Sequence, residues 1–196
     1  WNVGQVYEFF VFRTRLYAAS NGMGLLESKG TSFEYVRENI NYDFRPNTIT
    51  QSKLDPNRIF VDHQQGLMSL YFDAREDQFV EESATNKIKT NSGGSTLWED
   101  EKGSIWVQSP SEGEIQKIYP SIENGKLDFE KSEFATYGKE KGLPESFINL
   151  TVRTGEMILF APDVEKTYGY DPENDRFQQR KFFFDEYMEL FLRAYV

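Results

Sequence analysis

Short apolar runs carrying a single aromatic residue alternate with polar turns along this chain. That is the pattern of half-buried strands, not the 3.6-residue stripe of a helix. Four such runs recur: Arg15-Leu16-Tyr17-Ala18, Arg58-Ile59-Phe60-Val61, Ser104-Ile105-Trp106-Val107 and Met157-Ile158-Leu159-Phe160. Each leads through a polar turn into a second run, beginning at Gly24, Gly66, Gly113 and Lys166. A third aromatic closes each unit: Phe33, Phe79, Phe134 and Phe177. In front of each pair stands a further β-type run: Val6 to Val11, a weak one near Ile49, Ser95 to Trp98, and Phe147 to Val152. Unit three is lengthened by residues 121–131, whose Asn124-Gly125 pair is a strong hairpin signal.

The first aromatics stand at 17, 60, 106 and 160, a period of roughly 43–54 residues, and each unit has three or four strands. That period and strand number match the blade of a β-propeller. A β-helix has shorter coils, and a leucine-rich repeat would show its ladder every ~20–29 residues. An immunoglobulin-like sandwich supplies seven strands without repeating the aromatic marker. The expected fold is therefore all-β, with about four blade units that form part of a larger propeller. The units fall near 1–45, 46–92, 93–143 and 144–180. Residues 181–196 either open a further blade or form a short helical tail, because Phe184, Met188 and Phe191 are spaced for one helix face.

At unit three the residues become specific. Leu97-Trp98-Glu99-Asp100-Glu101-Lys102-Gly103-Ser104-Ile105-Trp106-Val107 resembles the blade signature of the two-component regulator propellers, roughly I-x-E-D-x-x-G-x-I/L-W-I/V-G-T. Tyr137 to Pro144 (YGKEKGLP) is similar to the family's Y-x-x-x-x-G-L-P lead into the next blade. Tyr168 to Phe177 (YGYDPENDRF) is similar to its Y-x-Y-D-x-x-x-D-x-F. The Gly-Thr usual after the aromatic strand is replaced by Gln108-Ser109, Asp62-His63 and Ala161-Pro162. The resemblance implies the extracytoplasmic ligand-sensing portion of a bacterial transmembrane histidine kinase, and hence a periplasmic location. Many such sensors respond to saccharides, and the kinase would lie outside this chain.

Composition narrows the picture further. Aromatics make up 16% of residues, which argues against disorder, since disordered segments are poor in them. The formal charge of −10, from 22 basic and 32 acidic residues, disfavours a nucleic-acid partner, which needs a concentrated basic face. No stretch approaches 18 consecutive apolar residues. Without cysteine there is no disulfide, thiolate metal site or cysteine nucleophile. The chain begins at Trp1 and reads as an excerpt or processed product.

In a propeller, the turns between second and third strands gather on one face with the links between blades. Asn21, Asp62, His63, Gln64, Gln108 and Asp163 are expected in those turns and carry the groups that satisfy sugar hydroxyls. Tyr42 and Phe147 are candidates to stack on a sugar ring. No catalytic residue is expected. Glu99-Asp100 has the form of a glycosidase carboxylate pair, but its place suits a hairpin whose Asp accepts backbone N–H groups. Asp171 to Asp175 lacks the glycine and distant glutamate of a calcium loop. Asn149-Leu150-Thr151 is a formal glycosylation sequon within an expected strand. No metal or cofactor is expected. The expected partners are a small polar ligand such as an oligosaccharide and the other blades or domains of the same receptor, with homodimerisation left open. Two other readings stand beside the sensor: a scaffold for protein association, and an enzyme acting on polysaccharide.

Overall fold

A computed structural model describes residues 5–38, 44–88, 97–109, 114–144, 149–153, 156–160 and 167–180. Among them, sixteen strands form four antiparallel four-stranded sheets. The first sheet is β1 (Val6–Phe12), β2 (Arg15–Ser20), β3 (Gly24–Lys29) and β4 (Ser32–Glu38). The second is β5 (Pro46–Gln51), β6 (Arg58–His63), β7 (Gly66–Asp73) and β8 (Gln78–Thr85). The third is β9 (Leu97–Glu99), β10 (Ile105–Ser109), β11 (Glu114–Glu123) and β12 (Lys126–Tyr137). The fourth is β13 (Asn149–Arg153), β14 (Glu156–Phe160), β15 (Thr167–Asp171) and β16 (Arg176–Gln179). Each sheet is a simple meander in chain order. The weak run near Ile49 is the strand β5, and the Asn124-Gly125 signal is realised as a two-residue turn with both φ angles positive, 53° and 77°.

The chain divides into two compact units, 1–109 with 116–135, and 110–115 with 136–196. In the first unit the sheets stack face to face. Alternation along β6 sends Ile59 and Val61 to one face and Phe60 and Asp62 to the other. Ile59 and Val61 join Met68, Leu70, Phe72 and Phe79 against Phe12, Tyr17 and Leu25 of the first sheet. Phe60 and Leu67 pack on Ile105, Val107, Ile118 and Phe129 of the third. A strand covered on both faces has no solvated side, which is why every residue of β6 is buried. The first strands lie side by side, β1 next to β5 and β5 next to β9. Innermost first strands and blades stacked like pages make up the propeller arrangement.

Polar stitches join the blades where apolar contact cannot satisfy the backbone. The Ile49 N–H donates to the Glu8 carboxylate at 2.6 Å, and burial raises that carboxyl's pKa. Glu99 accepts from the Ser52 hydroxyl at 3.1 Å and from the Lys53 N–H. The buried Arg58 donates to both oxygens of Glu82, at 2.7 and 2.9 Å. Glu82 also accepts from the Leu127 N–H and the Ser69 hydroxyl. The same arginine reaches the Gly125 carbonyl at 2.9 Å, so the long β11–β12 hairpin is latched to the second blade.

In the second unit, Asp175 closes the β15–β16 turn at φ 49° and gathers Tyr137, Tyr170 and Lys141 at 2.6, 2.7 and 2.7 Å. Phe177 meets Tyr137 edge-on at 5.8 Å. The first unit repeats the device: Asp77, at φ 56°, pairs with Arg15, and Phe79 meets Tyr17 edge-on at 5.4 Å. The closing aromatic of a unit is thus the floor on which a tyrosine from the preceding unit rests.

Candidate ligand-binding site

The site is built from the β6–β7 turn. His63 pairs with Gly66 across it, leaving Gln64 and Gln65 at the tip. Gly66 has φ +146°, and a Cβ there would lie 1.9 Å from the Thr85 carbonyl oxygen, so β7 enters its sheet this closely only with glycine. The Gln64 N–H donates to the Arg45 carbonyl at 3.1 Å, which ties the turn to the link entering β5. On that link Phe44 brings its ring to 5.1 Å from the His63 imidazole.

These pieces wall a cavity of about 590 Å³ between the first and second blades, which Glu130 of β12 in the third blade also lines. Arg37 and Glu38 enter it from the end of β4, His63 and Gln65 from the turn, and Asn86 from beyond β8. Arg37 is ion-paired with Glu81, and its guanidinium lies 5.0 Å from the Phe44 centroid. Burial, reinforced by the Arg37 charge, pushes the His63 pKa down to about 4. At neutral pH its imidazole is uncharged and offers the chemistry of one donor and one acceptor nitrogen. An uncharged imidazole, two amides, a ring face and the charged Arg37, Glu38 and Glu130 offer donors and acceptors to a polar ligand. Among the described residues, no group of three or more His, Cys, Asp or Glu side chains is arranged to hold a metal ion.

The residues expected from sequence occupy different surroundings. His63 lines the cavity, and Gln64 sits at the tip beside it. Asp62 is a buried residue of β6, not a turn residue, and accepts from the Asn47 amide at 3.4 Å. Asn21 stands in the β2–β3 turn and clasps the start of β1: its N–H donates to the Gln5 carbonyl, and its side-chain amide to the Tyr7 hydroxyl. Gln108 is buried in β10. Asp163, Tyr42 and Phe147 lie outside the described residues, as does the tail. Arg37, Glu38, Phe44 and Asn86 were not singled out from sequence. They sit at the ends of outer strands or on the link between blades, and only the stacking of sheets brings them to the turn. Of the carboxylate pair, Glu99 is buried and bonded to β5's end. The Asp100 carboxylate accepts from the N–H groups of Lys102 and Ser104 and from the Trp106 indole at 3.0 Å.

No family model matches the chain, and no curated protein matches it in sequence. Solved structures do match in fold. The extracellular domain of BT4673 from B. thetaiotaomicron, named as a one-component system, aligns with 93% of this chain at a TM-score of 0.61 and 14% identity. The β-propeller domain of Myceliophteria thermophila Cps50 (Swd1) aligns with 90% at 0.60 and 13% identity. Virginiamycin B lyase from Staphylococcus aureus aligns with 91% at 0.58 and 9% identity. The chain is made of propeller blades. It spans 22%, 59% and 56% of those three chains respectively. Among the described residues, no helix is long and apolar enough to cross a membrane.

Proposed function

We propose that this chain is the ligand-sensing part of an extracytoplasmic receptor of the two-component regulator propeller type, and that it takes a saccharide in the cavity beside His63. The observation that carries the reading is that cavity. It joins the neutral His63 imidazole, the Gln65 and Asn86 amides and the charged Arg37, Glu38 and Glu130 to one aromatic ring, Phe44, at the end of the blades where the turns between second and third strands gather. The fold match to an extracellular domain supports the placement outside the cytoplasm. In this reading the chain performs no catalysis, and the signal passes to a kinase elsewhere in the receptor.

The test is calorimetric titration of a panel of neutral and acidic oligosaccharides into the chain. Saturable binding that His63→Ala and Asn86→Ala each weaken about tenfold, the effect of losing one buried hydrogen bond of roughly 1.4 kcal/mol, supports the proposal. Binding unaffected by both variants places the ligand elsewhere, and turnover of an oligosaccharide replaces the sensor with an enzyme. An association scaffold is the second reading. It is favoured by Phe9 and Val11, which share one face of β1 and are 61% and 62% exposed.

A further inference from the structure

The opposite ends of the first unit's sheets carry a second concavity, of about 760 Å³. It is walled by turns from three successive blades: Arg13 from the β1–β2 turn, Arg75 from the β7–β8 turn, and Lys126 just after the β11–β12 turn. In an antiparallel meander these turns lie at the far strand ends from the β6–β7 turn, so this cleft is separate from the His63 cavity.

The charges in this cleft are committed unequally. Each carboxylate already has its partners. Glu82 is held by Arg58, Ser69 and the Leu127 N–H. Glu81 is paired with Arg37. Asp73 accepts from the N–H groups of Arg75 and Glu76, closing its own turn. The cations differ: among the described residues, no carboxylate lies within 4.0 Å of the charged groups of Arg13, Arg75 or Lys126. Arg13 is also fixed in place. Its φ of +56° is a region that long side chains avoid, so the fold holds it in a sparsely populated conformation. Its guanidinium lies 4.2 Å from the Phe72 centroid, and one nitrogen donates to the Asn57 amide oxygen at 3.3 Å. The remaining donors of that planar fork are left to meet a carboxylate.

Three cations and three carboxylates line this concavity on a chain of net charge −10; Glu81 and Glu82 are neutralised by Arg37 and Arg58, so beside Asp73 the lining keeps an excess of positive charge. We infer that this cleft binds a small organic polyanion carrying two or three carboxylates, one on the Arg13 fork and the others toward Arg75 and Lys126. The inference does not rest on the saccharide reading, since the two sites share no residue.

Citrate is a suitable probe, titrated calorimetrically into the chain at low salt, with glycerol as its uncharged counterpart. The expected result is saturable citrate binding that Arg13→Gln and Arg75→Gln each weaken about tenfold to a hundredfold, the loss of one charge-assisted hydrogen bond. Lys131→Gln removes one charge outside the cleft and leaves the affinity unchanged. Arg75 sits on an exposed turn, so its variant reads the site even where Arg13→Gln disturbs the aromatic stack. Absence of saturable citrate binding, citrate binding that both arginine variants leave intact, or equal binding of glycerol each overturns the inference.

Discussion

Trp106 shows how much one side chain carries in a blade. It is fully buried, its indole donates to Asp100, and the Lys117 ammonium lies 4.5 Å from its ring centroid. Trp106→Ala is expected to lower stability by about 3–5 kcal/mol, read from denaturant midpoints. Trp106→Phe keeps most of the volume and should lose only about 1 kcal/mol, the share of the hydrogen bond. His63 supplies a pH dependence. Its folded pKa of about 4 lies below the ordinary 6.5, so the unfolded chain takes up the proton first. The stability held by the neutral ring is complete above about pH 6.5 and is lost as pH falls toward 4, up to about 3 kcal/mol. Urea unfolding at pH 7 and pH 5 should therefore differ less in His63→Gln than in the parent. An equal difference in both would remove His63 as its source. Asp175 is the carboxylate counterpart. Partial burial raises its pKa, but Lys141, Tyr137 and Tyr170 outweigh that and hold it at about 2. Tyr170→Phe should move its NMR titration upward.

At the scale of elements, two local devices set the geometry. Gly66 lets β7 start against the Thr85 carbonyl. Gly66→Ala is expected to destabilise by about 2 kcal/mol or more and to distort the His63 turn, which a thermal melt and a loss of ligand binding would both register. The β11–β12 hairpin depends on Glu82. Burial raises the pKa of that carboxyl, yet Arg58, Leu127 and Ser69 together bring it below the usual range. Its stabilising contribution is present above the ordinary glutamate pKa and disappears as pH falls through the lower folded value. Glu82→Gln leaves Arg58 buried with, among the described residues, only Asp55, at 3.5 Å, as a carboxylate partner. Up to about 3–5 kcal/mol is at stake, read as a drop in urea midpoint. A hairpin that stays protected from hydrogen exchange in this variant would show that the latch is dispensable. These elements were legible in sequence to different degrees. The Asn124-Gly125 turn follows from the φ preferences of its two residues alone. The pairing of Asp77 with Arg15 did not show, because its partners are 62 residues apart and local patterning carries no sign of them.

At the scale of the molecule, the succession of blades makes both cavities. The His63 cavity needs the end of β4 from one blade, the β6–β7 turn of the next and Glu130 from the third; the cationic cleft likewise draws on three. Strand alternation, glycine placement and the spacing of aromatics were enough to predict four blade units, because each depends on interactions within about one strand's length. Local pattern also marked His63 and Gln64 as turn-side polar residues. It could not tell that Asp62 is buried, since only the packing of a third sheet closes the second face of β6. Nor could it assign Arg37, Phe44 and Asn86 to a common cavity, or foresee that among the described residues no carboxylate pairs with Arg13 while Arg58 and Arg37 find theirs. Those outcomes depend on which strand ends the stacking of sheets brings together. That is a matter of long-range packing and of which charges are desolvated together, and it exists only once the blades are assembled.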